Sequence, residues 1–255
     1  MSRLVALLTD FGTDDPYAGQ VAAVVAAAAY AQVVTLTHGV PPHAINLGAH
    51  IVDASLDLLP RGSVLLAVVD PGVGTERRGI IVRRAGRWLV GPDNGLLTTA
   101  TGSMRCWAID RPETWRSSVA RTFHARDIFA PIAARLANYE RPDQLGSPVR
   151  NPIQADRPCA RLDGSTVRGE IIHVDSFGNL ITNVPAAVLH TSHMLEARVG
   201  NVRIKALAAT YGSGSAPVAL IGSWNLLEIA IPSGSAAQTL RSRVGDRITV
   251  CLTDA

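Results

Sequence analysis

Apolar runs in the first half of the chain alternate between two lengths. Leu4–Leu8 and Ser63–Val69 are short and almost continuously apolar, as strands buried on both faces are, and Val33–Thr37 is a third short run. Between them Pro16–Ala31 and Ala44–Leu58 are long enough for helices, and Asp14-Asp15-Pro16 offers cap and first-turn chemistry to the first. The order strand, helix, strand, helix, strand predicts an α/β domain with a mostly parallel sheet flanked by helices. Gly79–Arg84 and Arg87–Val90 read as arms of a hairpin and Asp127–Tyr139 as a further helix, which extends this domain over residues 1–145.

The pattern then changes. Arg141 to Gly164 carries four prolines and little periodicity, and residues 146–163 read as a linker. Val167–Val174, Asn179–Asn183, Ala197–Ala206, Ala216–Ile221, Leu226–Ile231 and Asp246–Leu252 are β-type runs bounded by Gly, Ser and Asn. Residues 164–255 therefore predict a small all-β domain, barrel or sandwich.

Composition narrows the classes. A chain of 255 residues with 47% hydrophobic and 18% charged residues buries a full core, which excludes disorder. No apolar run reaches the roughly 18 residues of a membrane span, and the run near the start is too short for a signal peptide. Cys106, Cys159 and Cys251 are odd in number and widely spaced, which fits neither a disulfide framework nor a zinc cluster. A cytoplasmic protein without a bound metal is the expectation. The net charge is +3, but the basic residues are scattered in ones and twos, which argues against a nucleic-acid partner.

Chemistry concentrates where the parallel strands end, the place at which open α/β sheets bind ligands. Asp10 to Asp15 follow the first strand, His38 to His43 the second and Asp70 to Arg77 the third. A carboxylate such as Asp10 can accept both hydrogens of a ribose diol. One of Asp14 and Asp15 has the alternative role of capping the helix. Arg77 close behind Asp70 holds that carboxylate ionised and oriented, the alternative being a turn with a surface ion pair. His124 precedes a helix in Thr122-Phe123-His124-Ala125-Arg126-Asp127. In Asp175-Ser176-Phe177-Gly178-Asn179 the ring can stack on a purine while the amide reads its edge, the alternative being a β-turn with Phe177 in the core. Gly222-Ser223-Trp224-Asn225 and Glu228 form a further polar loop entering a strand.

Six stretches in order, LLTDFGTDDPYAGQ, VVDPGVGTERRGI, GPDNGLL, FHARDIFAP, VDSFGNLITN and GSWNLLEIAIPSGSAA, closely resemble the adenosine-forming S-adenosylmethionine hydrolases, also called SAM hydroxide adenosyltransferases. This family is related to the bacterial fluorinase and chlorinase. The resemblance implies hydrolysis of S-adenosyl-L-methionine at ribose C5′ to adenosine and methionine, with that molecule as substrate and no cofactor. It implies a homotrimer whose active sites lie at subunit interfaces. Asp70, Arg77 and His124 correspond to the water-activating trio, with Asp70 and His124 accepting a hydrogen bond or proton from the water. Asp10 corresponds to the ribose acid, Phe177 and Asn179 to the adenine-facing pair, Asp175 and Ser223 to the methionine end, and Asp15 and Glu228 to positions near the ligand. Where the halogenases place a Tyr, this chain has His124, and where they lack an acid it has Asp70, which favours water over a halide. Two rival readings are a nucleoside N-ribohydrolase, whose N-terminal acidic cluster Leu8 to Asp15 matches in all but its first acid, and a non-catalytic sensor of adenosine or S-adenosylmethionine.

Overall fold

The computed structural model describes residues 3–98, 103–190 and 193–253. The chain divides into two compact units, residues 1–156 and 157–255.

In the first unit, β1 (Arg3–Thr9), α1 (Tyr17–Ala28), β2 (Ala31–Thr37), α2 (Ile45–Leu56) and β3 (Val64–Val68) follow the expected order. Next come β4 (Gly79–Arg84), β5 (Arg87–Pro92), β6 (Met104–Ala108), α3 (Ala130–Ala137), α4 (Pro142–Leu145) and β7 (Pro148–Val149). The strands lie in the order β2-β1-β3-β5-β4-β6-β7. Pairings β1 with β2, β1 with β3 and β3 with β5 are parallel, whereas β5 with β4, β4 with β6 and β6 with β7 are antiparallel. The sheet is thus mixed, which corrects the expectation of a mostly parallel one. The reason is connection length: Ala85 and Gly86, at φ 47° and 80°, join β4 to β5 in two residues, and a parallel neighbour needs a crossover of a dozen or more.

Alternate residues of the buried strands serve two cores. Val5, Leu7, Val64, Leu66 and Val68 share one with Val21 and Val25 of α1 and Ile132 and Leu136 of α3. Ala6, Leu8, Leu65 and Ala67 share the other with Val52 and Leu56 of α2. The continuous apolar runs of β1 and β3 are the consequence, because neither face meets water. Residues 151–154 run along this unit: Arg78 donates to the Asn151 carbonyl at 3.1 Å, Ile153 N–H to Asp93 at 2.8 Å and Thr98 Oγ1 to the Ile153 carbonyl at 2.7 Å.

The second unit holds β8 (Arg161–Asp163), β9 (Thr166–Val174), β10 (Leu180–Pro185), α5 (Ala186–His190), β11 (His193–Val199) and β12 (Val202–Lys205). It continues with β13 (Leu207–Ala208), β14 (Val218–Ile221), β15 (Leu226–Ala230), α6 (Ala236–Leu240) and β16 (Arg247–Thr253). One sheet path runs β12-β11-β16-β9-β10-β15-β14-β13, with β8 beside β9. Ile204 of β12 and Ala219 of β14, from opposite reaches of that path, share one core with Val167, Ile171 and Ile229, so the sheet curls around it.

Candidate active site

The carboxyl ends of β1, β2 and β3 face one edge, because these three strands run parallel. The register of β1 against β2 slips between Leu7 and Leu8, an irregularity of the kind that re-aims side chains beside sites. Beyond it Thr9 is fully buried, its hydroxyl accepting from Phe11 N–H at 3.3 Å and lying 2.8 Å from His38 Nδ1. Gly12 N–H donates to the His38 carbonyl at 2.8 Å, which ties the Asp10 loop to the end of β2. The Asp10 carboxylate accepts from His43 N–H at 3.0 Å.

After β3, Asp70 and Arg77 form a two-pronged ion pair. Arg77 Nε donates to Oδ1 at 2.9 Å and Oδ2 at 3.0 Å, and Nη2 also donates to Oδ2. The side chains are 6% and 11% exposed, so this is no surface pair. The guanidinium lies 5.0 Å over the Phe129 ring, and its Nη2 donates to His124 Nδ1 at 3.2 Å. Gly74 brings the Asp70–Arg77 loop against the segment before His124. It adopts φ 79°, and a Cβ there would lie 2.7 Å from the Arg121 carbonyl oxygen.

His124 opens a wide π-type turn over Ala125–Phe129 that runs into α3. Pro131 has no N–H to give the Asp127 carbonyl, which accepts from Arg116 N–H at 3.0 Å instead. The Asp127 carboxylate is buried and accepts from Ala120 N–H at 2.9 Å and from Arg126 Nε at 2.7 Å. Arg126 holds this carboxyl below its ordinary range although burial opposes the shift. Asp127 thereby fastens both the chain before His124 and the turn after it.

Asp10, Phe11, His43, Asp70, Phe123 and His124 line one cavity of about 180 Å³, with Arg77 behind Asp70. Burial and then the Arg77 charge lower the His124 pKa, while Asp70 and Asp127 pull it the other way. A guanidinium only donates, so neutral His124 accepts at Nδ1 and carries its hydrogen on Nε2. This revises the expected role: the free ring nitrogen is a donor, and Asp70 is left as the acceptor beside it.

In the second unit, Phe177, Asn179, Tyr211 and residues 231–234 line a cavity of about 480 Å³. Phe177 is 77% exposed, so the alternative of a core ring does not hold. Asp175 is occupied with the turn itself: Oδ1 accepts from Phe177 N–H and Asn179 N–H, and Oδ2 from Asn179 Nδ2, each at 2.9 Å. This fixes the Asn179 amide through its nitrogen and leaves the amide oxygen as an acceptor. Glu228 is buried and accepts from the Tyr211 hydroxyl at 2.9 Å, and burial, then nearby Asp175, raise its pKa against that bond. Ser223 is exposed on the Gly222–Asn225 turn, and neighbouring Trp224 stacks on His173 at 5.5 Å. Asp15 is exposed and lines neither cavity. Neither it nor Asp14 caps α1, whose cap position is Pro16 with no side-chain bond.

The structure thus gathers Asp10, Asp70, Arg77 and His124 in the first unit and Phe177 with Asn179 in the second, while Asp15, Asp175, Ser223 and Glu228 stand outside both linings. Sequence reasoning missed Tyr211 and Asp127. Asp127 lay within a quoted motif, but Tyr211 had only its place in a Gly- and Ser-rich stretch.

Comparison with known proteins adds the following. Residues 5–146 match the family model described as the SAM hydroxide adenosyltransferase N-terminal domain, and residues 169–249 the corresponding C-terminal domain. The (R)-S-adenosyl-L-methionine hydrolase of Thermus thermophilus is 40% identical, the match covering 95% of this chain and 97% of that protein. The enzyme of the same name from Salinispora tropica is 34% identical over 96% and 97% of the two chains. Among solved structures, a conserved protein from Thermotoga maritima superposes with a TM-score of 0.89 at 31% identity, covering 97% of this chain and 99% of its own.

Proposed function

The chain belongs to the SAM hydroxide adenosyltransferase family, and from that premise we propose that it hydrolyses S-adenosyl-L-methionine at ribose C5′, giving adenosine and L-methionine. The observation that carries the reading is the Asp70–Arg77–His124 chain of contacts at a cavity that also holds Asp10. A binding protein has no need of this chain.

Water oxygen attacks C5′, the C5′–S bond breaks, and its electron pair returns to sulfur, turning a sulfonium into the neutral thioether of methionine. The leaving group needs no acid, and the reaction as written needs no cofactor. A carboxylate that accepts three hydrogen bonds from Arg77, two of them at Oδ2, keeps a lone pair on Oδ1 for the water. Asp70 therefore orients the water and takes its proton as the C–O bond forms, and His124 Nε2–H fixes the oxygen from a second direction. Positioning of this kind can remove about 7–11 kcal/mol of a barrier, against about 3–5 kcal/mol for a general base.

Asp10 takes the ribose diol, and its charge together with that of Asp70 suits a cationic substrate on a chain of net charge +3. Phe177 stacks on the adenine and Asn179 reads its edge. Asp175 acts by holding these two, and the methionine end falls to Ser223 and the loop around it, with Asp15 and Glu228 nearby. The proposal includes a cytoplasmic homotrimer in which the water-and-ribose half of each site comes from one subunit and the purine half from its neighbour. Three free cysteines suit a reducing compartment, and each half-site is built wholly within one unit.

The test is incubation of the purified protein with S-adenosylmethionine, without added metal, followed by chromatography with mass detection. Adenosine and methionine in equal amounts are expected, with kcat lowered about a hundredfold or more in Asp70→Asn. Adenine as product, or an Asp70→Asn variant as fast as the parent, would overturn the reading.

A further inference from the structure

Pro41-Pro42-His43-Ala44 is a tight turn closed by Ala44 N–H donating to the Pro41 carbonyl at 3.1 Å. Pro42 presets the second position, and His43 in the third adopts φ 67°, the left-handed backbone that turns with Pro in second place ordinarily give to Gly or Asn. From there His43 N–H reaches Asp10 Oδ2 at 3.0 Å, and the Ile45 N–H at the start of α2 donates to the His43 carbonyl at 2.8 Å. His43 is among the residues that line the cavity holding Asp10, Asp70 and His124.

These two contributions separate cleanly. The N–H contact needs only the left-handed backbone, which glycine would supply without strain. What glycine lacks is the ring, carried by a residue that lines the cavity. We propose that His43 is a substrate-positioning residue: its backbone fixes the ribose acid Asp10, and its imidazole packs on the ribose so that C5′ faces the water held by Asp70 and His124. This rests on Asp10 as the ribose acid.

The test compares His43→Gly and His43→Asn with the parent for melting temperature, adenosine affinity by calorimetry, and kcat/KM across pH. His43→Gly is expected to melt at or above the parent temperature, because strain is removed. It should bind adenosine about fivefold more weakly and lose about tenfold or more in kcat/KM, with the shape of the pH profile kept. His43→Asn, which tolerates the same backbone and keeps a planar polar group, should recover part of both losses. Parental affinity and kcat/KM in His43→Gly would reduce the residue to a turn former and overturn the proposal. Loss of a limb of the pH profile would also overturn it, by making the ring a proton carrier. Failure of the underlying readings shows elsewhere: adenosine affinity unchanged in Asp10→Asn removes the ribose acid, and a parent that turns over no substrate removes the hydrolase. The calorimetric comparison still decides on His43 in that last case.

Discussion

His124 is the residue whose protonation the chemistry can feel. Burial and the adjacent Arg77 both favour the neutral ring, and only that form accepts from Arg77 at Nδ1. Protonation would set two cations side by side, so activity should fall on acidification with a limb below the ordinary imidazole value of about 6.5. Replacing Arg77 with Gln removes a lowering cause and leaves Asp70 unpaired, which raises the His124 pKa and moves that limb to higher pH. The measurement is kcat/KM against pH for both proteins, and a limb that stays in place would mean that the Arg77 contact does not govern the ring.

Elements position these residues, and the Asp175–Asn179 turn shows how narrowly. Gly178 adopts φ 83°, and a Cβ on it would lie 2.1 Å from Ser235 Oγ, the group that caps α6 by accepting from Gln238 N–H. Gly178→Ala should destabilise the protein by about 2–4 kcal/mol, read from denaturant unfolding, from left-handed strain and overpacking together. Its KM for S-adenosylmethionine should rise, because Phe177 and Asn179 flank the strained residue. Much at this scale was legible in the sequence. Strands β1 and β3 stood out because burial on both faces leaves Leu4–Leu8 and Val64–Val68 wholly apolar, and the three polar clusters stood out because strand ends are where a parallel core must stop. The β4–β5 hairpin was legible too, but the antiparallel strands β6 and β7 beyond it were not, since they are short and their pairing depends on distant partners. The π-type turn was read as plain helix because it arises from Pro131 denying a donor to Asp127 and from Arg116 replacing it. Tyr211 was illegible for a like reason: its meaning comes from Glu228, 17 residues away, and from a cavity built by the curled sheet.

For the whole molecule, half-buried histidines link folding to pH. His38, His124 and His173 all have pKa values lowered chiefly by burial. A depressed imidazole means that the unfolded chain binds more protons, so stability is fully present above about 6.5 and is lost as pH falls from there through the folded values. The lowered carboxyl of Asp127 extends the loss to more acidic pH, and the raised carboxyl of Glu228 opposes it. Melting temperatures measured from neutral to mildly acidic pH should therefore decline through the imidazole range, and a flat profile there would contradict the assignment of three neutral, half-buried rings.

The central claim is attack by water on C5′. It is tested most directly by turnover of S-adenosylmethionine in ¹⁸O-enriched water with mass analysis of both products. The account predicts adenosine that carries the label at its 5′-oxygen and methionine that carries none. Label in the methionine-derived product, or adenine released with label on the ribose, would place the broken bond elsewhere and contradict it.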